Sequence, residues 1–226
     1  MGEQTEAMWR SRATEDLVYA DRTEAGDRLA ANLSTYANRT DVVVLGLVRG
    51  GVPVAARIAA ALHAPLDVMV VRKLGVPTSP EVAFGALGPG GVTSHNPEVE
   101  SYVSPEDIEK VTRTEQEELV RREEKYRSGR AGVALDGRVV IVVDDGLATG
   151  ATARAAVAVA RALAATRVVV AVPVGAPDAV EKLRAEADEV VCPLVPSYFG
   201  AVSAFYTDFP QTTDDEVVAL LAQHRP

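Results

Sequence analysis

The feature that most constrains this chain is an apolar run that ends in two adjacent carboxylates. Residues 139–152 have the sequence VVIVVDDGLATGAT. Five β-favouring residues predict a buried strand, and the small residues after them predict a loop that leads into an alanine-rich helix. Free loop amides and a helix N-terminus favour a phosphate group, while Asp144 and Asp145 can accept hydrogen bonds from neighbouring hydroxyls. The run therefore indicates a site for a sugar phosphate.

Other apolar runs predict the rest of a sheet. Further strands are expected at residues 42–47, 66–71, 167–172 and 189–192. Helices are expected at residues 21–33, 53–63, 104–128, 151–165, 179–187 and 214–223. Strands that alternate with helices and consist almost entirely of Val, Ile and Leu predict an α/β fold with a doubly wound, mainly parallel sheet flanked by helices. We expect a single domain over residues 1–226, with residues 1–20 as a candidate mobile arm.

The segment 72–102 interrupts this alternation. It is rich in glycine and proline, and we expect at most a short strand or hairpin near 82–87. We interpret the segment as a candidate lid loop over a ligand, with a plain surface connection as the alternative. The long helix after it carries charges of both signs, which indicates a solvated or subunit-facing surface with only a narrow apolar stripe.

Composition excludes several classes of function. The net charge of −9 argues against a general surface for nucleic acid or anionic membrane. The single cysteine, Cys192, excludes an internal disulfide framework and metal clusters built on several cysteines. The sequence has neither an apolar run long enough to span a bilayer nor the apolar core of a secretory signal near its start. We expect a cytoplasmic protein.

Three candidate binding elements follow predicted strands. They are residues 49–51 (Arg-Gly-Gly), residues 72–73 (Arg-Lys) and residues 144–152. Each alone has a structural explanation as a turn, a solvated strand end or a helix cap. Because ligands of open parallel sheets bind beyond the carboxyl ends of the strands, the three elements together can surround one phosphorylated ligand. The motifs of P-loop nucleotidases, dinucleotide-binding folds and α/β-hydrolases are absent.

These elements resemble those of a known family. Residues 139–152 resemble the phosphoribosyl pyrophosphate (PRPP) signature of the type I phosphoribosyltransferases. Residues 47–51 resemble their pyrophosphate-binding loop, and residues 72–73 resemble the basic pair of the adenine-type members. A closer resemblance begins at residues 19–22 (Tyr-Ala-Asp-Arg) and extends to the C-terminus. It is to a bacterial phosphoribosyltransferase-like subgroup of unassigned acceptor, some of whose members are fused to other enzyme domains.

The resemblance implies an enzyme that uses Mg²⁺ to transfer a 5-phosphoribosyl group from PRPP to a nucleobase or other small acceptor, releasing pyrophosphate. It also implies a homodimer. The implied catalytic residues are Asp144, Asp145, Arg49 and Lys73. Asp144 and Asp145 would hold the ribose hydroxyls and, through these or through water, the metal. The implied groups around the two phosphate-bearing ends of PRPP are Gly50, Gly51, Arg72, Gly146, Leu147, Ala148, Thr149, Gly150, Ala151 and Thr152.

Two positions depart from the family pattern, which more often has a branched apolar residue at Gly146 and a hydroxyl residue at Ala148. The acceptor site has no firm motif. Residues 193–212 could form a hood, with Tyr198 or Phe199 stacked on a base and Asp208 at its edge, or they could be a packed aromatic cluster. Two alternatives to transfer also stay open: a regulatory module that binds PRPP or a nucleotide without turnover, and a hydrolase of PRPP or a related sugar phosphate.

Overall fold

The computed structural model describes residues 18–224. Within them the strands are β1 Val42–Leu47, β2 Leu66–Met69, β3 Arg72–Val76, β4 Ser79–Leu87, β5 Thr93–His95, β6 Val139–Val143, β7 Arg167–Ala171 and β8 Glu189–Val191. The helices are α1 Arg22–Ala31, α2 Gly51–Leu62, α3 Pro97–Glu100, α4 Pro105–Arg127, α5 Ala151–Ala162, α6 Pro177–Arg184 and α7 Asp214–Gln223. Most of the predicted arm lies outside the described residues, but Tyr19 within it is buried.

The central sheet is parallel, with the strand order β2-β1-β6-β7-β8. β1 and β6 consist entirely of apolar residues and glycine, whereas β2, β7 and β8 each contain one charged residue: Asp67, Arg167 and Glu189. β1 and β6 are neighbours in the middle of the sheet, and Gly46 of β1 lies opposite Val143 of β6. The predicted parallel α/β fold is confirmed.

The core has two parts, one on each face of this sheet. Side chains alternate along β1, so that Val42 and Val44 join one cluster and Val43 and Leu45 join the other. The first cluster also includes side chains of α1, α2, α4 and α7, and the second includes side chains of α5 and α6. This two-sided burial explains why the strands are apolar at nearly every position.

Local signals place most helix starts correctly. Asp21 accepts a hydrogen bond from the Glu24 amide at the start of α1, and Thr213 with Glu216 forms a capping box at the start of α7. The helix predicted from residue 179 begins earlier, because Pro177 occupies its first position. The strand predicted over 66–71 ends at Met69.

The prediction of at most one short strand or hairpin within residues 72–102 is wrong. The segment forms a three-stranded antiparallel sheet, β3-β4-β5, followed by the short helix α3. Its regularity depends on tertiary packing that the glycine- and proline-rich composition conceals. Leu74 and Phe84 are fully buried, and a Cβ on Gly85 would come within 2.6 Å of the Ser94 carbonyl oxygen on β5.

Candidate functional site

The two acids lie beside the loop that follows β1. Because β1 and β6 are parallel neighbours, the turns at their carboxyl ends meet at one edge of the sheet. Asp144 and Asp145 follow β6 directly, and the Asp145 amide donates a hydrogen bond to Asp144 Oδ1 at 2.9 Å. The fold therefore brings together two of the three elements predicted from the sequence.

Glycine allows the β1 loop to contact the acid pair. A Cβ on Gly50 would overlap the carboxylate of Asp145. A Cβ on Gly51 would overlap the carbonyl oxygen of Val143 and lie 2.8 Å from Asp144 Cα. Real Cβ atoms essentially never approach so closely. At Gly51 the contact is with backbone, so packing requires glycine there, whereas a side chain at Gly50 would force the Asp145 carboxylate to move.

Burial raises the pKa of both carboxyl groups. Asp144 is shielded from water, and the negative charge of Asp145 lies beside it. Both effects hold the pKa of Asp144 well above its usual range. Burial also raises the pKa of Asp145, although the Arg22 guanidinium opposes this rise. Additional hydroxyl donors or a cation would therefore stabilise the ionised forms of this pair.

Arg22, at the start of α1, is a site residue to which the sequence assigned no role. Its Nε and Nη2 contact Asp145 Oδ2 at 2.9 and 2.8 Å, and its Nη1 donates to the Pro210 carbonyl oxygen at 2.7 Å. Its guanidinium lies 3.7 Å from the centre of the Phe209 ring. Arg22 thus joins the second acid to the segment that precedes α7.

A cavity of about 360 Å³ opens between these groups. It contains both acids and two arginines, and its wall on the C-terminal side is residues 209–212. The lining residues are Arg22, Val48, Arg49, Gly50, Asp144, Asp145, Phe209, Pro210, Gln211 and Thr212. Gln211 is a further polar group that sequence analysis did not identify, since nothing in its local pattern distinguishes it from a loop residue.

The predicted phosphate loop continues from the acids to α5. Leu147 is buried, and backbone hydrogen bonds with Val174 and Ala176 anchor it on both sides. Ala148, Thr149 and Thr152 are exposed. Gly150, at the N-terminus of α5, has a φ of +72°, which favours glycine. The loop thus exposes its small residues and a helix start beside the acids.

The first departure from the family pattern, Gly146, has a structural cause. A Cβ at this position would lie 2.6 Å from Val202 Cγ1. A branched residue here would therefore displace the segment around Val202.

The three predicted basic residues do not converge. Arg49 lines the acid cavity. Arg72 forms an ion pair with Glu115 of α4. Lys73, the next residue of β3, lies instead in a separate groove that Ala151 of α5 also lines, as expected from the alternation of side chains along a strand.

Residues 209–212 of the predicted hood line the acid cavity, but the three hood residues expected to contact the acceptor do not. Tyr198 is 85% exposed. Phe199 stacks on Phe205 with ring centres 5.4 Å apart, and Asp208 is exposed. None of the three is among the residues that line the cavity, and their contact with an acceptor stays a prediction.

Across residues 18–224, no group of three or more His, Cys, Asp or Glu side chains is arranged to hold a metal ion. In the same range no helix has both the length and the apolar character needed to cross a bilayer.

Comparison with known proteins defines the class to which this fold and site belong. The model of the phosphoribosyl transferase domain family matches residues 19–210. The chain therefore belongs to this family, and the resemblance drawn from the sequence is confirmed.

Individual relatives agree with this assignment. Two proteins of Mycobacterium tuberculosis, from strains CDC 1551 and H37Rv, are provisionally named phosphoribosyl transferases. Each is 51% identical over 206 residues, which is 90% of this chain but only 46% of the relative. The chain thus spans less than half the length of these relatives. The crystal structure of TT1426 from Thermus thermophilus superposes with a TM-score of 0.86 at 44% identity, covering 92% of this chain and all of TT1426.

Proposed function

We propose that the protein transfers a 5-phosphoribosyl group from PRPP to a small nitrogen nucleophile such as a nucleobase, releasing pyrophosphate. The observation that carries the proposal is the acid cavity, in which Asp144, Asp145 and Arg49 lie together beside an exposed loop and helix start. A cavity lined by both carboxylates and arginines suits a ligand that has hydroxyls at its centre and phosphates at its ends.

In this proposal each element of the site binds one part of PRPP. Asp144 and Asp145 accept hydrogen bonds from the ribose hydroxyls. The amides and hydroxyls of residues 146–152 bind the 5′-phosphate at the N-terminus of α5. Arg49 and the loop amides of Gly50 and Gly51 bind the pyrophosphate.

In the reaction, the bond between ribose C1 and the pyrophosphate oxygen breaks, and pyrophosphate leaves with the electron pair. A bond forms between C1 and the acceptor nitrogen, whose proton passes to solvent. The protein contributes by orienting the two reactants and by placing Arg49 against the charge that develops on the leaving group. Lys73, in the groove that Ala151 also lines, and Arg72, paired with Glu115, do not line the acid cavity and have no assigned role in this step.

The carboxylates of Asp144 and Asp145 also suit Mg²⁺ as ligands. Carboxylate oxygens are the hard donors this ion prefers, and an ion that keeps several waters needs only one or two of them. Asp144 and Asp145 would hold it, and it would supply positive charge to the pyrophosphate leaving group. A homodimer is part of the same proposal.

A second candidate function is a PRPP-binding regulatory module without turnover. It is favoured by the ion pair between Arg22 and Asp145, which occupies one oxygen of the second acid. Binding and turnover must therefore be measured separately.

The test is calorimetric titration of PRPP with Mg²⁺ into the wild type and into the double variant Asp144→Asn/Asp145→Asn, followed by an assay of pyrophosphate release with candidate acceptors. We expect PRPP to bind the wild type only, and turnover to fall by about three orders of magnitude or more in the variant, because charge stabilisation and orientation are both lost.

The double variant Asp136→Asn/Glu117→Gln is a matched control. It removes the same charge from two exposed positions and should bind PRPP as the wild type does. Equal PRPP binding by the wild type and the acid variant would exclude the assigned site. Binding without pyrophosphate release from any acceptor would favour the regulatory module.

A further inference from the structure

A second cavity lies on the other side of Arg49. It has a volume of about 190 Å³. Its lining combines the loop after β1, the C-terminal half of α4 and the start of α7. The lining residues are Arg49, Arg121, Arg122, Lys125, Tyr126 and Asp214. We call it the basic cavity.

On α4, two arginines share one carboxylate. Arg121 Nε and Arg122 Nε both donate to Glu118, at 2.8 and 2.6 Å. These bonds lower the pKa of Glu118 to about 2, so the group is ionised at neutral pH. A single negative charge thus faces two positive ones.

The ratio of one carboxylate to two cations is also found at the start of α7. Asp214 accepts hydrogen bonds from Lys125 Nζ at 2.5 Å and from the Tyr126 hydroxyl at 2.8 Å, and Arg49 Nη1 lies 3.7 Å away. The bonds from Lys125 and Tyr126 lower the pKa of Asp214. One carboxylate again faces two cations, so the cavity and its immediate partners carry an excess of two positive charges in a chain whose net charge is −9.

The Arg49 guanidinium has hydrogen-bond donors available for a ligand. Among residues 18–224 its guanidinium makes no hydrogen bond within normal distance, and its contact with Asp214 is an ion pair only. Arg49 also lines the acid cavity. A ligand in the basic cavity can therefore hydrogen bond to a side chain that reaches the other site.

We propose that the basic cavity binds a phosphate group, held by Arg49, Arg122 and Lys125. An excess of two positive charges matches a phosphate dianion, and guanidinium donors suit its oxygens. Two molecules could supply this phosphate group. One is a pyrophosphate bound at the acid cavity, through its distal phosphate, and the other is a free phosphate that acts as an effector. This inference goes beyond the proposed transfer, since it adds Arg122 and Lys125 of α4 to Arg49 and requires no turnover.

The experiment is calorimetric titration of inorganic phosphate into the wild type and into Arg122→Gln/Lys125→Gln, at low and fixed ionic strength. We expect the affinity for phosphate to fall at least about tenfold in the variant, because two charge-assisted hydrogen bonds are lost. Both side chains are at least 36% exposed, so the variant should fold normally. Equal affinity in the two proteins would overturn the proposal.

Two further variants sharpen the test. Lys110→Gln/Arg113→Gln removes the same charge from exposed positions of α4 outside the cavity and should leave phosphate affinity unchanged. Asp214→Asn removes the carboxylate that competes for Arg49 and Lys125 and should raise the affinity. A fall equal to that of the cavity variant in the Lys110 and Arg113 control would show a nonspecific effect of charge and would also overturn the proposal.

Saturating the wild type with PRPP before adding phosphate distinguishes the two sources. Because residues 146–152 would bind phosphate as well, the quantity to follow is the part of the binding that Arg122→Gln/Lys125→Gln removes. Its loss on saturation with PRPP would identify the basic cavity as the place of the distal phosphate, and its retention would identify an effector site. Asp144→Asn/Asp145→Asn should still bind phosphate. If it does while PRPP fails to bind the wild type, the proposed transfer fails and the anion site stands.

Discussion

The two cavities that share Arg49 are built in different ways. Backbone packing defines the acid cavity: Gly50 and Gly51 contact the acid pair with no room for a side chain, and the Arg22–Asp145 ion pair is only 10% and 15% exposed. Long side chains of α4 supply most of the lining of the basic cavity, and Arg121 there is 63% exposed.

This difference predicts how each cavity responds to substitution. A change in the acid cavity disturbs close packing or leaves a buried charge unpaired, so it should alter folding and ligand binding together. A change in the basic cavity removes an exposed charge and should alter ligand binding alone. The comparison can be tested by measuring stability and affinity on the same variants.

The largest effect is expected for Gly51→Ala. The added Cβ would overlap the backbone of Val143 and Asp144, and backbone cannot move aside as a flexible side chain can. We expect a loss of about 3 kcal/mol in the free energy of unfolding, the upper end for overpacked sites. The affinity for PRPP should fall together with the stability. Urea denaturation and calorimetry measure the two quantities.

Gly200→Ala is the matched control, because no atom lies within 4 Å of a Cβ added there. It should change the stability by less than about 0.5 kcal/mol. Wild-type stability in Gly51→Ala would show that the loop can shift freely, and the contrast between a rigid and an adaptable cavity would fail.

The parallel sheet was predictable because its signal is local and redundant. Every strand buried on both faces needs an apolar residue at nearly every position, as β1 and β6 show. The antiparallel sheet was missed because its strands contain Gly75, Pro80 and Gly85, which lower local strand preference. Packing of Leu74 and Phe84 into the core, which no local pattern reveals, compensates for them.

A second, smaller effect is expected for Arg22→Met. Methionine keeps most of the packing against Phe209 but leaves Asp145 without its cation. We expect a loss of about 2 kcal/mol, somewhat less than for breaking a fully buried pair, since both side chains keep some exposure. Arg22→Lys should recover part of the lost stability. Urea denaturation at neutral pH provides the measurement.

Arg57→Met breaks an ion pair with Asp27 in which the two side chains are 47% and 49% exposed. This change should cost less than about 0.5 kcal/mol. Equal losses from Arg22→Met and Arg57→Met would mean that burial does not distinguish the acid cavity from the surface.

Arg22 also shows where prediction of the site stopped. The acids, the glycine loop and the phosphate loop each follow a strand, so the sheet topology alone brings them to one edge. Arg22 is 123 positions from Asp145 in the chain. It reaches Asp145 because α1 packs beside α2 and because residues 207–210 are hydrogen bonded to the start of the α1 segment. Contacts of this kind depend on tertiary structure, and a helix N-terminal arginine gives no local signal of them.

The smallest effect on stability is expected for Glu118→Gln, which tests the other half of the comparison. Glutamine still accepts a hydrogen bond from Arg121 or Arg122, but one negative charge is removed beside the basic cavity. Because these groups are all partly exposed to water, the melting temperature should stay within about 2 °C of the wild type. Phosphate should bind more tightly, by roughly two- to fivefold, since the positive excess grows by one charge. A large fall in melting temperature with no gain in affinity would show that Glu118 stabilises α4 itself, and the basic cavity would then be as much a part of the folded framework as the acid cavity is.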